Sequence, residues 1–200
     1  MKIYNFGEQK SVMNRFIAEL RDKQIQKDSL RFRRNLERIG ELFAYEISKQ
    51  LKYEERDVQT PLGIAKCQLP ADKVVVASIL RAGLPLHQGV LNIFDSAQNA
   101  FIAAYRKYGK DNKFKIQMEY ATMPSIEDKT VVLVDPMLAT GSSIILAYNK
   151  ICTNGEPLHT HIVAAIASRE SLSLLSKNLP HSKVTLWVGA VDEELTNKSY

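Results

Sequence analysis

The chain has 200 residues with 27 Lys plus Arg against 22 Asp plus Glu, a net charge of +5, and 45% of it is hydrophobic against 24% charged. That is the balance of one globular domain and excludes a wholly disordered chain. Two distant cysteines, Cys67 and Cys152, exclude a disulfide scaffold or zinc finger; with no signal-peptide core in Met1–Glu8 and no membrane-length apolar run, the expected setting is cytoplasmic.

Residues 1–60 read as a helical N-terminal region. Ser11 is placed to cap a short helix carrying Val12, Phe16, Ile17 and Leu20 on one face. A longer helix is expected after Asp28-Ser29, because Leu36, Ile39, Phe43, Ile47 and Leu51 recur every three or four residues. Arg31, Arg33, Arg34 and Arg38 decorate its start as a solvated basic face. The Pro61-Leu62-Gly63 turn closes the region.

From residue 73 short apolar runs alternate with helical stretches. The runs are Val74–Leu80, Ala100–Tyr105, Phe114–Tyr120, Val131–Val134, His161–Ala167 and Val184–Ala190; the helical stretches are Leu86–Phe94, Ser143–Ile151 and Ser168–Leu179. Val131–Val134 has no polar alternation, as in a parallel strand buried on both faces. Strand–helix alternation over 73–200 predicts an α/β core, an open and mostly parallel sheet flanked by helices, within one domain. Between Phe101 and Met118 lie Arg106, Lys107, Lys110, Lys113 and Lys115 against Asp111 alone. That segment reads either as a solvated strand–loop–strand or as a basic loop that closes over phosphates. Tyr105 and Tyr108, interleaved there, are a weak signal for base stacking.

Ligands of open α/β sheets bind beyond the carboxyl ends of the strands. Val131–Val134 is followed by Asp135-Pro136-Met137-Leu138-Ala139-Thr140-Gly141-Ser142-Ser143. An acid at the strand end, then small hydroxyl residues, a glycine and a helix N-terminus, make a cradle for a phosphate. No lysine follows the glycine, so this is not a P-loop. Val74–Leu80 is followed by Arg81-Ala82-Gly83, which reads as a surface turn or as a guanidinium fork presented to an oxygen-rich anion such as pyrophosphate. His159 and His161 would share one strand face; a structural role is expected for them, and no metal site of protein ligands is expected.

Asp135–Ser143 resembles the phosphoribosyl diphosphate (PRPP) motif of the type I phosphoribosyltransferases, in the Asp-Pro-Met-Leu-Ala-Thr-Gly form found in uracil phosphoribosyltransferases. Ser78–Leu84 is similar to their pyrophosphate loop, Ala104-Tyr105-Arg106 to the start of their flexible loop, and Ala190–Tyr200 to the approach to their uracil-binding segment. The resemblance implies transfer of phosphoribosyl from PRPP to uracil, giving UMP and pyrophosphate in pyrimidine salvage. It implies catalytic roles for Asp135 and Arg81. PRPP would be bound by Arg81, Ala82, Gly83 and Arg106 together with Asp135, Pro136, Met137, Leu138, Ala139, Thr140, Gly141, Ser142 and Ser143. Uracil would meet Met137, Ala139 and Tyr200. Mg2+ held mainly through PRPP, activation by GTP, and a homo-oligomer, dimer or tetramer, are further implications; no general base is named.

Relatives in this family continue past the equivalent of Tyr200 with a Pro-Gly-Leu-Gly-Asp-Ala-Gly-type segment that supplies most uracil contacts, so the chain is expected to be cut before that tail. Lys107-Tyr108-Gly109-Lys110, and Pro85, His87 and Gln88, also depart from the family pattern. The alternatives are a pyrimidine-sensing RNA-binding regulator on the same fold, or a phosphoribosyltransferase for another base. Nucleic acid and membrane are not the expected partners.

Overall fold

The computed structural model describes residues 1–108 and 114–193, with side chains described for 1–103 and 120–193. Among the described residues the elements run β1 (Lys2–Asn5), α1 (Met13–Arg21), α2 (Ser29–Ser48), β2 (Tyr53–Thr60), β3 (Gly63–Pro70), β4 (Val74–Leu80), α3 (Leu84–Leu91), β5 (Gln98–Tyr108), β6 (Phe114–Thr122), β7 (Thr130–Val134), β8 (Met137–Leu138), α4 (Ser142–Cys152), β9 (His159–Ser168), α5 (Arg169–Asn178) and β10 (Val184–Asp192).

The main sheet has the order β1-β10-β9-β7-β4-β5-β6, with short β8 beside β9. Every pairing is parallel except β5 with β6. Alternate residues of the central strands feed two cores. Val75, Ala77, Val131, Leu133, Ile162 and Ala164 pack with Ile144, Ala147, Ile151 and Leu175 of α4 and α5. Val76, Val132, Val134, Val163, Ala165 and Trp187 pack with α1, α2 and α3 on the other face. Both faces of β7 are therefore covered, which accounts for its unbroken apolar run.

Asp28 caps α2, its carboxylate accepting the N–H groups of Leu30 and Arg31 at 3.1 and 3.0 Å. Ser11 does not cap α1: the helix starts from Val12 without a side-chain cap, Ser11 Oγ lies 3.3 Å from Asn14 Oδ1, and Val12 is 57% exposed rather than on the apolar face. The N-terminal region is also not all helix. Lys2–Asn5 adds β1 to the sheet edge, and Tyr53–Thr60 pairs with β3 as an antiparallel hairpin. Pro61-Leu62-Gly63 turns this hairpin instead of closing a helical region, with Gly63 at φ +136°. Both faces of the hairpin are largely exposed, so neither strand carries an apolar alternation to reveal it.

The element order places a topological switch beside β4. α3 leads from β4 to β5 on one side; β7 pairs on the other side of β4, and α4 leads from it to β9. α3 and α4 leave on opposite faces of the sheet, so the carboxyl ends of β4 and β7 are neighbours at the point where open sheets of this kind bind their ligands.

Candidate active site

β7 runs into the acidic loop without leaving the sheet. The Asp135 N–H donates to Val163 O at 3.1 Å, and the Ala165 and Ile166 N–H groups both donate to Pro136 O, at 3.0 and 3.1 Å. Met137 and Leu138 then pair with Ile166 and Ala167. Leu138 is buried, while Met137 is presented to solvent. Asp135 is therefore fixed from both sides. Its carboxyl is largely withdrawn from water, which pushes its pKa up to about 7; a hydrogen bond from the Met137 N–H works against that rise. A carboxylate held this way gains from any positive charge brought near it.

The loop expected to cradle a phosphate follows. Gly141 has φ +83°, a conformation that disfavours any side chain, and a Cβ there would lie 3.3 Å from both Leu175 Cγ and Ser171 Cβ. The Thr140 hydroxyl donates to Ser142 Oγ at 3.2 Å and accepts the Ser142 N–H at 3.4 Å. The Ile145 N–H donates to Gly141 O at 3.2 Å, the first intrahelical bond of α4. The N–H groups of Ser143 and Ile144 have no intrahelical acceptor and sit at the positive end of the helix dipole. The array is suited to a phosphate dianion.

At the end of β4, the Gly83 N–H donates to Ile79 O at 3.1 Å and the Leu84 N–H to Arg81 O at 3.3 Å, closing a tight turn; the Leu80–Arg81 peptide is cis. Glycine is required by space: a Cβ on Gly83 would come 2.4 Å from Ser78 Oγ, 2.8 Å from Ile79 O and 3.2 Å from Val134 O. The turn thus rests on the end of β7, and the two sequence-predicted motifs lie side by side. Arg81 and Ala82 are exposed, and Arg81 forms no ion pair with the described residues. Arg106 belongs to β5 by its backbone, but its side chain, like residues 109–113 and Tyr200, lies outside what is described.

Residues not anticipated from the sequence complete the surroundings. Ser168, N-cap of α5, accepts the Ser171 N–H at 2.9 Å and donates to Ala139 O. A serine before a helical run is a cap signal in sequence, but its reach across 29 residues is not. Ser78 is buried under the Arg81 turn, and His87 is buried against Phe101. The His159–His161 pair is structural: His161 Nδ1 accepts the Trp187 indole N–H at 3.0 Å, and His159 Nε2 lies 2.8 Å from Thr185 Oγ1. Burial holds the His161 pKa down at about 3. The basic face on α2 is partly neutralised, Arg31 pairing with Glu19 and Arg34 with Glu37. A cavity of about 700 Å³ lies at the opposite end of the sheet, between the hairpin and the starts of β4 and β5. No described helix is long and apolar enough to cross a membrane.

Comparison with known proteins agrees with this geometry. Residues 8–200 match the family model described as uracil phosphoribosyltransferase. A uracil phosphoribosyltransferase of Porphyromonas gingivalis is 50% identical over the whole chain, which spans 92% of the relative. One from Thermococcus gammatolerans is 35% identical over 99% of the chain and 87% of its own length. A solved structure from Aquifex aeolicus superposes with a TM-score of 0.87 at 28% identity, covering 99% of this chain and 91% of that one. A hypoxanthine phosphoribosyltransferase from Staphylococcus aureus, 13% identical with a TM-score of 0.52 over 80% of this chain and 74% of its own, shares the fold alone. With an acidic loop on β7, a glycine-packed arginine turn on β4 and a family match across nearly its whole length, the chain belongs to the uracil phosphoribosyltransferase family.

Proposed function

We propose that the protein transfers the phosphoribosyl group of PRPP to uracil, forming UMP and pyrophosphate in pyrimidine salvage. The observation that carries this reading is the pairing, at neighbouring strand ends, of a desolvated Asp135 with the amide array at the start of α4 and the exposed Arg81 turn. The 5′-phosphate sits on the Ala139–Ser143 backbone and hydroxyls. Asp135 faces the ribose, where its negative charge stabilises positive charge developing at the anomeric carbon as the bond to pyrophosphate breaks. Arg81, with Arg106, holds the departing pyrophosphate; Pro136 and Leu138 shape the loop. The uracil N1–C1′ bond forms while the C1′–O bond breaks, and the N1 proton passes to solvent; no side chain is assigned as general base. Met137 and Ala139 line the base side, with Tyr200 as the third base contact.

Magnesium fits this site as an ion carried by substrate. Among the described residues no three His, Cys, Asp or Glu side chains gather into a cage, and Mg2+ bound by substrate oxygens with one or two carboxylates needs none. Among the described residues of the two motifs, Asp135 is the carboxylate that would be available to it. When bound, the ion neutralises charge on the pyrophosphate. A homo-oligomer and activation by GTP are part of the same proposal. The first is supported by the exposed hairpin, where Leu62, Ile64 and Leu69 are bare apolar side chains, and both are tested by sedimentation and rate with and without GTP. The pairing of Arg31 and Arg34 with glutamates supports an enzyme over an RNA-binding regulator. The deciding experiment is product formation from PRPP and Mg2+ with each free base in turn. UMP from uracil supports the reading; turnover of another base in preference to uracil, or none, overturns it.

A further inference from the structure

We infer that Ser168 is a positioning residue for the phosphate-binding loop, setting which way the peptide between Ala139 and Thr140 faces. The inference rests on the proposed role of that loop. A hydroxyl has one proton and two lone pairs. Ser168 Oγ lies within hydrogen-bond distance of a carbonyl, Ala139 O, and of a backbone N–H, that of Ser171 at 2.9 Å. The carbonyl can only accept and the N–H can only donate, so the Ser168 proton is committed to Ala139 O. The neighbouring Ser171 hydroxyl donates to Ser168 O at 2.8 Å and locks the same turn. Ser168 is 3% exposed and Ser171 0%, so solvent has no ready access to replace these bonds.

The consequence lies on the other side of the peptide. In a trans peptide the carbonyl and the following N–H point in opposite directions. Fixing Ala139 O against α5 turns the Thr140 N–H away from α5, to the open side of the loop. Two residues on, Gly141 rests on the same helix turn, its Cα side within 3.3–3.4 Å of Ser171 and Leu175 for any added Cβ. The first turn of α5 therefore supports the loop at two points that flank Thr140. The amide inferred to face phosphate is thus oriented by a helix that lies outside the motif. The sequence motif ends at Ser143, and Ser168 stands 25 residues beyond it, which is why the motif gives no hint of it.

Three variants separate positioning from helix capping. Ser168→Thr keeps both bonds. Ser168→Gly serves nearly as well as an N-cap but has no hydroxyl for Ala139, and Ser168→Ala loses both functions. Each is measured in the full chain for melting temperature, for PRPP affinity by calorimetry, and for the KM of PRPP and of uracil. The expected result is a roughly 5- to 10-fold loss of PRPP affinity in both Gly and Ala variants, with a matching rise in the KM for PRPP, an unchanged KM for uracil, and rescue by Thr. PRPP affinity that follows melting temperature across the three variants, or a Gly variant that binds PRPP like wild type, overturns the inference. Wild type is titrated first: if it fails to bind PRPP, the proposed function falls, whereas normal wild-type binding with an unaffected Gly variant sinks only the role of Ser168.

Discussion

Asp135→Asn should make the free protein more stable and the enzyme much slower. Asn keeps an oxygen for the Met137 N–H and nearly the same shape, so charge is the main change. The folded-state pKa of Asp135 is raised from 3.8 to about 7 by desolvation. The sign follows from that direction: the folded chain holds a proton that the unfolded chain has released, so ionised Asp135 opposes folding. The penalty is absent below pH 3.8, grows as pH rises through that interval, and is complete above about pH 7. Three pKa units would correspond to about 4 kcal/mol; the partial exposure of Asp135 reduces this, and we expect about 2 kcal/mol, or a melting temperature higher by ~4–8 °C for a chain of this size. The gain should be largest at pH 8 and shrink toward pH 4. Turnover should fall by about two orders of magnitude or more, the scale of a single electrostatic stabiliser. Calorimetric melts across pH and initial rates of UMP formation give both readouts. A variant no more stable than wild type at pH 8 would refute the desolvated carboxylate. Turnover within a few-fold of wild type would refute its role at the anomeric carbon.

Arg81→Ala removes an exposed side chain with no ion pair among the described residues, so the melting temperature should not move, while the KM for PRPP rises about 10-fold or more; unchanged PRPP saturation would count against the pyrophosphate assignment. Gly83→Ala places a Cβ 2.8 Å from the fixed carbonyl of Ile79 and 2.4 Å from Ser78 Oγ. It should cost about 1–3 kcal/mol and weaken PRPP binding, and Ser78→Ala/Gly83→Ala should rescue only part, because the backbone clash remains; full rescue would show that the turn is set by the hydroxyl alone. His161→Gln keeps an acceptor for the Trp187 indole but cannot titrate. The folded pKa of His161 is held down from 6.5 to about 3, so wild type loses stability as pH falls below 6.5, by about 2 kcal/mol at pH 5. The variant should lose less over pH 6.5 to 5 in urea melts, and identical acid slopes would disprove that His161 is buried neutral.

The parallel core and the loops of the candidate site are legible because each leaves a local signal. Val131–Val134 has the unbroken apolar run of a strand covered on both faces, and an acid followed by small residues before a helix has the composition of a strand-end loop. What escaped was non-local. The β2–β3 hairpin buries almost nothing, so its Tyr-Glu-Glu-Arg-Asp-Val-Gln-Thr strand shows no period of two, and its pairing is carried by backbone hydrogen bonds that any sequence can make. β1 is four residues long and becomes a strand only because β10 offers an edge. Ser11 had the composition of a cap and lost the role because α1 starts at Met13 with Val12 as its N-cap. In sequence Gly83 is only a small residue beside an arginine; that its hydrogen faces the end of β7 depends on the parallel register that pairs Ser78 with Val134.

The placement of Asp135 shows how the fold bears an unfavourable group at the position where the proposed reaction needs it. A desolvated carboxylate opposes folding, and the left-handed Gly141 and close-packed Gly83 bring no side chain of their own to bury. The compensation is next door. Val131–Val134 and Ile162–Ala165 are fully buried between two helical layers, and their ladder delivers the Asp135 N–H to Val163 and the Pro136 carbonyl to Ala165 and Ile166. Rigidity in the sheet thus holds the carboxylate in place before ligand arrives. In the proposed reaction, positive charge developing on the ribose would make its ionised form favourable, so the group that costs stability in the free protein would become the one that stabilises the transition state.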